Sequence, residues 1–219
     1  MRDIIIGAVA SLIASIIVIL ITYYSKNIRT TLIKLLGKLV RIDIDRVYSN
    51  AKEAQKDIIK ALERGKNVRL LMGRGQELQT ETYNPLLQIP KKYASVQILL
   101  PKTVIHENEI DWVRAREIEL INFDEAFEDN ILREQINLTI KFLQKTINSN
   151  PNFEMRFFNT PHIGKVIITD EYLFYYLMET NSHGRDCTMN RCKANSATYN
   201  SFSRIFDIIW NNSSKENAK

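Results

Sequence analysis

The chain has 219 residues, 45% of them hydrophobic and 25% charged, with a formal net charge of +5 at pH 7. Residues 1–46 hold seven Lys or Arg against three Asp or Glu, so most of the excess positive charge lies in this first segment. The remainder is close to neutral, which excludes a domain that binds nucleic acid through overall basicity and leaves open only a local basic cleft.

The first segment contains a candidate membrane span. Residues 4–24, IIIGAVASLIASIIVILITYY, carry no charge, and a helix of this length crosses the roughly 30 Å hydrocarbon core of a bilayer. Six Lys or Arg follow between residues 26 and 46, which by the positive-inside rule predicts an external amino terminus and a cytoplasmic remainder. We therefore expect a transmembrane helix over 1–25, a basic amphipathic juxtamembrane helix over 26–46, a cytoplasmic domain over 47–210 and a flexible tail over 211–219.

Small residues recur along the predicted span. Gly7, Ser11 and Ser15 are spaced by four, and Ala10 and Ala14 form a parallel stripe beside them. Small residues at this spacing let helix backbones approach closely in lipid. The pattern favours a homo-oligomer, most simply a tetramer, with a monomeric anchor as the alternative. Because the span has no charge, an ion pathway is permitted and not required.

The cytoplasmic part alternates helical and strand patterns. The predicted elements are a helix over 49–64, strands over 67–72 and 95–100, helices over 108–120 and 123–147, strands over 153–158, 165–169 and 172–178, and a helix over 197–210. Strands interspersed with helices in this order predict an α/β domain with a mixed sheet in three layers.

One segment, PHIGKVIITDEYLFYY, places His162, Lys165 and Asp170 around an apolar strand. It resembles the H-x-K-x-x-x-x-D signature of phospholipase D-like phosphodiesterases, and the order of elements resembles one half of that fold. The resemblance implies a phosphoryl-accepting histidine, a lysine that holds a phosphate oxygen and an aspartate that orients the histidine. Here, however, two residues instead of one separate His162 from Lys165. Residues three apart on a strand face opposite sides, so both side chains reach one phosphate only if a bulge or kink at Gly164 restores the register.

Further polar residues are expected at the same site. Gly73, Arg74 and Gly75 follow the first strand of the domain, where crevices of α/β sheets bind ligands, and a guanidinium between two glycines can hold phosphate bidentately. The other predicted ligand-binding residues are Thr80, Tyr83, Asn84, Arg156 and Arg185, with His162 and Lys165. Ordinary roles also remain open, with His162 in a loop, Lys165 on a solvated strand face and Asp170 in a turn.

The sequence predicts neither a cofactor nor a metal. It has no Walker loop, Rossmann glycine pattern, HExxH motif or Ser/His/Asp arrangement. His183, Cys187 and Cys192 are one ligand short of a zinc set and lack a standard spacing. The two cysteines face a reducing compartment in the predicted topology, so we expect no disulfide.

A membrane span joined by a basic linker to a phospholipase D-like domain with a displaced histidine resembles the plan of bacterial antiphage membrane effectors of the Hailong type. That resemblance implies a channel-like tetramer in the bacterial inner membrane, a nucleotide or single-stranded DNA oligomer as the signal, and a nucleotidyltransferase that makes it. One alternative is a membrane-tethered phosphodiesterase or nuclease that uses His162, Lys165 and Asp170. The other is an interaction module in which acidic helices over 107–134 dock a basic partner.

Overall fold

The computed structural model describes residues 14–19, 23, 43–179 and 181–216. Residues 14–19 are helical, and among the residues described no helix is both long and apolar enough to cross a membrane. Most of the predicted span, most of its small-residue stripe (Gly7, Ala10 and Ser11) and most of the juxtamembrane helix lie outside the described residues.

The chain divides into two compact units, Met1–Arg46 and Val47–Lys219. The strands are β1 (Ile44–Tyr48), β2 (Asn67–Leu71), β3 (Ser95–Pro101), β4 (Phe153–Phe158), β5 (Gly164–Thr169), β6 (Tyr172–Leu177) and β7 (Met189–Lys193). The α-helices that accompany them are α1 (Ala51–Arg64), α2 (Asn84–Gln88), α3 (Trp112–Phe123), α4 (Ile131–Ser149) and α5 (Ala197–Asn211). Short 3₁₀ turns occupy Gln76–Gln79, Glu81–Tyr83 and Pro90–Lys92.

The seven described strands form one mixed sheet in the order β1-β7-β6-β5-β2-β3-β4. Leu70 of β2 is buried on one face together with Ile58 of α1 and Leu143 of α4. Arg69 points to the other face, because neighbouring strand residues alternate, and its guanidinium lies 5.7 Å from the centre of the Phe206 ring of α5. Helices therefore cover both faces, and the predicted α/β class with a mixed sheet is confirmed.

One edge of the sheet brings several strand ends together. β2, β3 and β4 are parallel, so their carboxyl ends at Leu71, Pro101 and Phe158 lie at the same edge. β5 runs antiparallel to β2 and begins at this edge, since Leu71 pairs with Val166. Such an edge is where open α/β sheets form a ligand crevice.

Two strands were not predicted. β1 begins inside the segment 26–46, which was expected to be wholly helical. β7 has the sequence MNRCK, whose two central residues are polar, so it lacks the apolar run that identifies a buried strand. Arg191 of β7 pairs with Asp57 of α1 at 3.1 Å and lies over the ring of Tyr172. These side-chain contacts, the pairing with β6 and the burial of Met189 and Cys192 together hold this strand in the sheet.

Two helices begin later than predicted. α3 starts at Trp112 because Asp111 caps it, its side chain accepting a hydrogen bond from the backbone N–H of Arg114 at 2.9 Å. α4 starts at Ile131, after Asn130 adopts a φ of +71° that ends the preceding turn. The polar segment between these helices therefore forms turns and does not extend the second helix.

The carboxyl-terminal segment also differs from the predicted tail over 211–219. α5 continues to Asn211, and Ser214 then forms an antiparallel bridge with Phe157 of β4. Two backbone hydrogen bonds of 2.8 and 3.1 Å make this bridge. The chain as far as Ser214 is thus attached to β4, the outermost strand on this side of the sheet.

Candidate functional site

A cavity of about 210 Å³ lies at the edge where β2, β3 and β4 end and β5 begins. Among the described residues its charged lining consists of Arg74, Lys102, Arg116, Lys165 and Arg185 with a single carboxylate, that of Glu77. Its apolar wall is formed by Trp112, Val113 and Leu120 of α3 and by Leu132 and Ile136 of α4. An excess of positive charge in a partly enclosed cavity attracts and concentrates anions.

Lys165 is the most buried of these cations, with a side chain only 6% exposed. Its ammonium donates a hydrogen bond to Oε2 of Glu77 and lies 5.4 Å from the centre of the Tyr83 ring. Burial by itself lowers the pKa of Lys165, but the opposing charge of Glu77 outweighs it and holds this pKa above its usual value. The same pairing holds the pKa of the Glu77 carboxyl below its usual value, against the effect of burial. The two side chains therefore form an ion pair at neutral pH.

Gly164 allows His162 and Lys165 to reach one cavity. Its φ is +153°, and a Cβ at this position would lie 2.0 Å from the carbonyl oxygen of Tyr176 on the neighbouring strand. A residue with a side chain does not fit there. β5 begins at this glycine, so His162 precedes the strand and is not bound by the alternation of its side chains. The side chains of His162 and Lys165 therefore both line the cavity. The spacing of His162 and Lys165 in the sequence predicted that they could share a ligand only if the chain kinks at Gly164, and this kink is present.

The imidazole of His162 packs against the backbone of Gly73. A Cβ on Gly73 would lie 2.4 Å from Nε2 of His162, so glycine at this position makes room for the ring. Nδ1 is enclosed and has no hydrogen-bond partner among the described residues, although the residue as a whole is partly exposed. Burial, followed by the nearby charge of Arg116, lowers the pKa of His162 to about 4. The ring is therefore neutral at pH 7.

Arg74 lies between two glycines at the end of β2. Gly75 has a φ of +67°, and a Cβ there would lie 2.8 Å from the side chain of Leu100. The guanidinium of Arg74 donates to Oε1 of Gln135 at 3.2 Å and lies 5.5 Å from the centre of the Phe127 ring. Burial lowers the pKa of Arg74. Within the described part of the chain it makes no ion pair, so this cation remains able to accept an external anion.

The other cations of the cavity pair with acids outside its lining. The pairs are Arg116–Glu119 at 2.7 Å, Lys102–Glu109 at 2.8 Å and Arg185–Asp186 at 3.6 Å. Six of the ten acids between residues 107 and 140 pair with a basic side chain of the domain. Two of these acids, Glu109 and Glu119, thus pair with cations of the cavity, and most of the segment's acids are engaged within the domain, which weakens the hypothesis that they dock a basic partner.

Sequence reasoning missed several lining residues: Glu77, Lys102, Arg116 and Tyr176. Arg116 carried one usable signal, because it is spaced by four from both Trp112 and Leu120 and so shares their helical face. His183, considered from the sequence only as part of an incomplete metal set, also lines the cavity. Its Nε2 lies 2.8 Å from Oδ2 of Asp124.

Asp170 does not reach the cavity. It lies at the opposite end of β5, where its carboxylate accepts hydrogen bonds from the backbone N–H groups of Lys66 and Asn67 at 2.6 and 3.0 Å. The side chain of Asn67 donates a third bond at 2.8 Å. The role implied by the family resemblance, orientation of the histidine, is therefore corrected. Asp170 instead joins the β5–β6 turn to the segment that follows α1.

The remaining predicted ligand-binding residues lie outside the lining of this cavity. Arg156 faces α5, where it donates to the carbonyl of Trp210 at 3.0 Å and lies 4.4 Å from the centre of the Trp210 ring. Thr80 and Tyr83 line a second hollow of about 320 Å³ beside α1, which shares Glu77, Lys165 and Arg185 with the cavity. Asn84 is the first residue of α2. Tyr83 contributes indirectly, because its ring lies below the ammonium of Lys165.

A metal site is not evident in the part of the chain that the structure describes. No group of three or more His, Cys, Asp or Glu side chains is placed there to hold a metal ion. Cys187 and Cys192 are both buried, and the thiol of Cys187 donates to the carbonyl of His183 at 3.5 Å. The absence of a cofactor stays a prediction.

Neither a protein-family model nor a curated protein matches the sequence. Among solved structures, TrmBL2, an archaeal chromatin protein with a novel mode of DNA binding, is 13% identical with a TM-score of 0.47, covering 98% of this chain and 71% of that one. NucT from Helicobacter pylori is 13% identical with a TM-score of 0.46, covering 77% and 96%. Nuc from Salmonella typhimurium, a phospholipase D family member, is 12% identical with a TM-score of 0.42, covering 77% and 95%. Because these identities and TM-scores are low, the functional assignment depends on the geometry of the cavity alone.

Proposed function

We propose that residues 47–210 form a phospholipase D-like domain that binds an anionic, phosphate-bearing ligand, such as a nucleotide or a short single-stranded DNA oligomer. The observation that carries this proposal is the charge of the cavity lining, in which the described residues place five Lys or Arg side chains and one carboxylate and leave Arg74 without an ion-pair partner. Arg74 and Lys165 are the principal ligands. Arg74 lacks an ion-pair partner among the described residues, and Lys165 is too buried for water to satisfy its charge.

Binding and not hydrolysis is the primary role that we assign to this cavity. A histidine nucleophile is normally oriented by a second group that holds its other ring nitrogen. No described residue bonds to Nδ1 of His162, and Asp170 is engaged at the far end of β5. The neutral ring and the two principal cations are suited to contact a phosphate without cleaving it.

The site assignment predicts a large loss of ligand affinity when both principal cations are removed. Charge-assisted contacts are worth about 1.5–3 kcal/mol each, so Arg74→Ala with Lys165→Ala should weaken binding of a 5′-phosphorylated oligothymidylate by about a hundredfold or more. Isothermal titration of the full chain in mild detergent measures this change. Binding to the parent protein should also fall steeply with salt.

The matched control is Arg64→Ala with Lys193→Ala. This pair removes the same charge from the opposite edge of the sheet, where Arg64 is 66% exposed, and should leave affinity within about twofold of the parent. If the Arg74/Lys165 variant remains folded and binds like the parent, the cavity is not the ligand site.

We further propose that this domain is the sensor of a membrane effector in the bacterial inner membrane, with the amino terminus outside and the domain in the cytoplasm. Support comes from the uncharged residues 4–24 and the basic segment that follows them. Within the domain, the carbonyl of Arg185 accepts a hydrogen bond from the N–H of Ala51, the first residue of α1, at 3.2 Å. A ligand that contacts Arg185 therefore contacts a residue that is hydrogen-bonded to the first residue of α1. By the resemblance to Hailong-type effectors, the signal would come from a nucleotidyltransferase and would act in antiphage defence.

The effector proposal requires an oligomer, which we expect to be a channel-like tetramer with parallel spans. Gly7→Leu or Ser11→Leu should reduce its assembly, because bulk at a close helix crossing separates the two backbones. Mass measurement in mild detergent distinguishes the species, with Ile5→Leu as a control that retains apolar bulk. A monomeric parent protein, or an unchanged oligomer in both variants, would contradict this assembly.

The alternative function is a membrane-tethered phospholipase D-like phosphodiesterase or nuclease. One observation favours it: the kink at Gly164 lets His162 and Lys165 line the same cavity despite their spacing. A metal-free assay of the parent protein on nucleotides, single-stranded DNA and phospholipid separates the two functions. Turnover that His162→Ala abolishes would establish the enzyme, and binding without turnover would support the sensor.

A further inference from the structure

The cavity carries its own anion. Glu77 is the single carboxylate of the lining, and it bonds to the most buried cation, Lys165. We propose that Glu77 occupies the place of the ligand phosphate on Lys165, so that a ligand binds only by displacing this carboxylate. The inference rests on the phosphate-binding function proposed above and identifies Glu77 as a residue that sets ligand specificity.

The two partners differ in their access to water. The side chain of Lys165 is 6% exposed, whereas that of Glu77 is 42% exposed. Lys165 cannot turn its ammonium into solvent and needs an anion in contact at all times. Glu77 can rotate outward and be hydrated. Exchange of Glu77 for a phosphate oxygen therefore leaves no buried charge without a partner.

The displacement is confined to a side chain because the backbone around Glu77 is held in place. Leu78, the next residue of the Gln76–Gln79 turn, is 1% exposed and belongs to the core. The hydroxyl of Thr80 donates to the carbonyl oxygen of Glu77 at 2.6 Å. Ligand entry thus requires rotation of the Glu77 carboxylate and not refolding of the turn.

Because a ligand has to displace Glu77, it binds only if its contacts are more favourable than the contact of Glu77 with Lys165. An anion that contacts Lys165 alone gains no more than Glu77 already provides. Glu77 also attracts the Arg74 guanidinium but forms no ion pair with it, so a phosphate group in direct contact with both Lys165 and Arg74 gains more than Glu77 provides. Internal competition of this kind excludes weak anions while retaining strong ones. The ligand class is therefore a phosphate ester able to bridge the two cations.

The test replaces the carboxylate with its neutral isostere in the full chain, purified in mild detergent. Glu77→Gln should bind inorganic phosphate and a short 5′-phosphorylated oligothymidylate about tenfold more tightly than the parent, because the competing charge is gone. Glu81→Gln is the control, since Glu81 lies four residues further on, is exposed, and carries the same charge. It should change both affinities less than about twofold.

The possible outcomes separate this inference from the proposed function. A parent protein that binds these ligands through Arg74 and Lys165, with Glu77→Gln binding equally or more weakly, would overturn the inference alone, because Glu77 would then position Lys165. Absence of binding in both proteins would overturn the proposed function. If Glu77→Gln does not fold, Glu77→Asp keeps the charge but withdraws it from Lys165 and should still tighten binding. No tightening in a folded Glu77→Asp would count against displacement.

Discussion

Gly164→Ala should lower the free energy of unfolding by about 3 kcal/mol or more. A Cβ at this position would lie 2.0 Å from the carbonyl oxygen of Tyr176 and 3.0 Å from Cα of Leu177. Both are backbone atoms of β6 in register with the start of β5, so the overlap cannot be relieved by rotating a side chain. The φ of +153° adds a second cost that alanine bears and glycine does not. Denaturant unfolding followed by tryptophan fluorescence measures the difference.

The neighbouring residue provides the control for this variant. Ile163 is 45% exposed, and Ile163→Ala removes apolar volume beside the kink without a backbone clash, so it should cost less than about 1 kcal/mol. If Gly164→Ala folds with nearly parental stability, β5 and β6 must separate at this point. Ligand affinity should then fall, because His162 and Lys165 would no longer share the cavity. Parental stability combined with parental affinity would contradict the structural role of Gly164.

The sheet could be predicted in large part because its central strands carry local signals. Strands such as β4, whose first residues alternate between apolar and charged side chains, are bounded by turn residues, and the order of such strands predicted the mixed sheet. β7 carried no such signal, since Arg191 is stabilised by Asp57, which lies 134 residues earlier in the chain. Local pattern identifies strands with a continuous or alternating apolar pattern and misses a strand such as β7, whose buried Met189 and Cys192 are separated by two polar residues.

The residues of the candidate site were likewise predictable only where a local pattern marks them. Arg74 and Lys165 were identified because glycines and a family signature mark their neighbourhood, and topology then brought them to one edge of the sheet. Glu77 has no such marker, and its importance comes from a contact with Lys165 across 88 residues of sequence. The acidic residues of α3 and the following turns form a charged surface pattern in the sequence, and only the ion pair of Glu119 with Arg116 and the 2.8 Å contact of Asp124 with His183 show which partners they have. Charge content is visible in a sequence, but the partner of each charge is not.

The stability of the domain should fall by about 3 kcal/mol between pH 6.5 and pH 4 through His162 alone. Burial, followed by the charge of Arg116, lowers the pKa of this imidazole to about 4 in the native state, whereas an unfolded histidine titrates near 6.5. Between these values the unfolded chain binds a proton that the native chain does not, so acidification favours unfolding. The contribution of the neutral ring is complete above pH 6.5 and is lost as the pH falls to about 4. Below that value both states are protonated and the loss stops.

His162→Gln removes this titration and should flatten the pH dependence by about the same 3 kcal/mol, even if its stability at pH 7 differs from that of the parent. His106→Gln is the matched control, because it makes the same substitution at a histidine that is exposed and lies outside the cavity lining. Denaturant unfolding at several pH values gives the slopes, and NMR titration of the imidazole gives the pKa directly. A pKa near 6.5 for His162, or equal slopes in both variants, would mean that water reaches Nδ1. The ring would then be protonated over part of the physiological range and would join Arg74 and Lys165 as a third cation for phosphate.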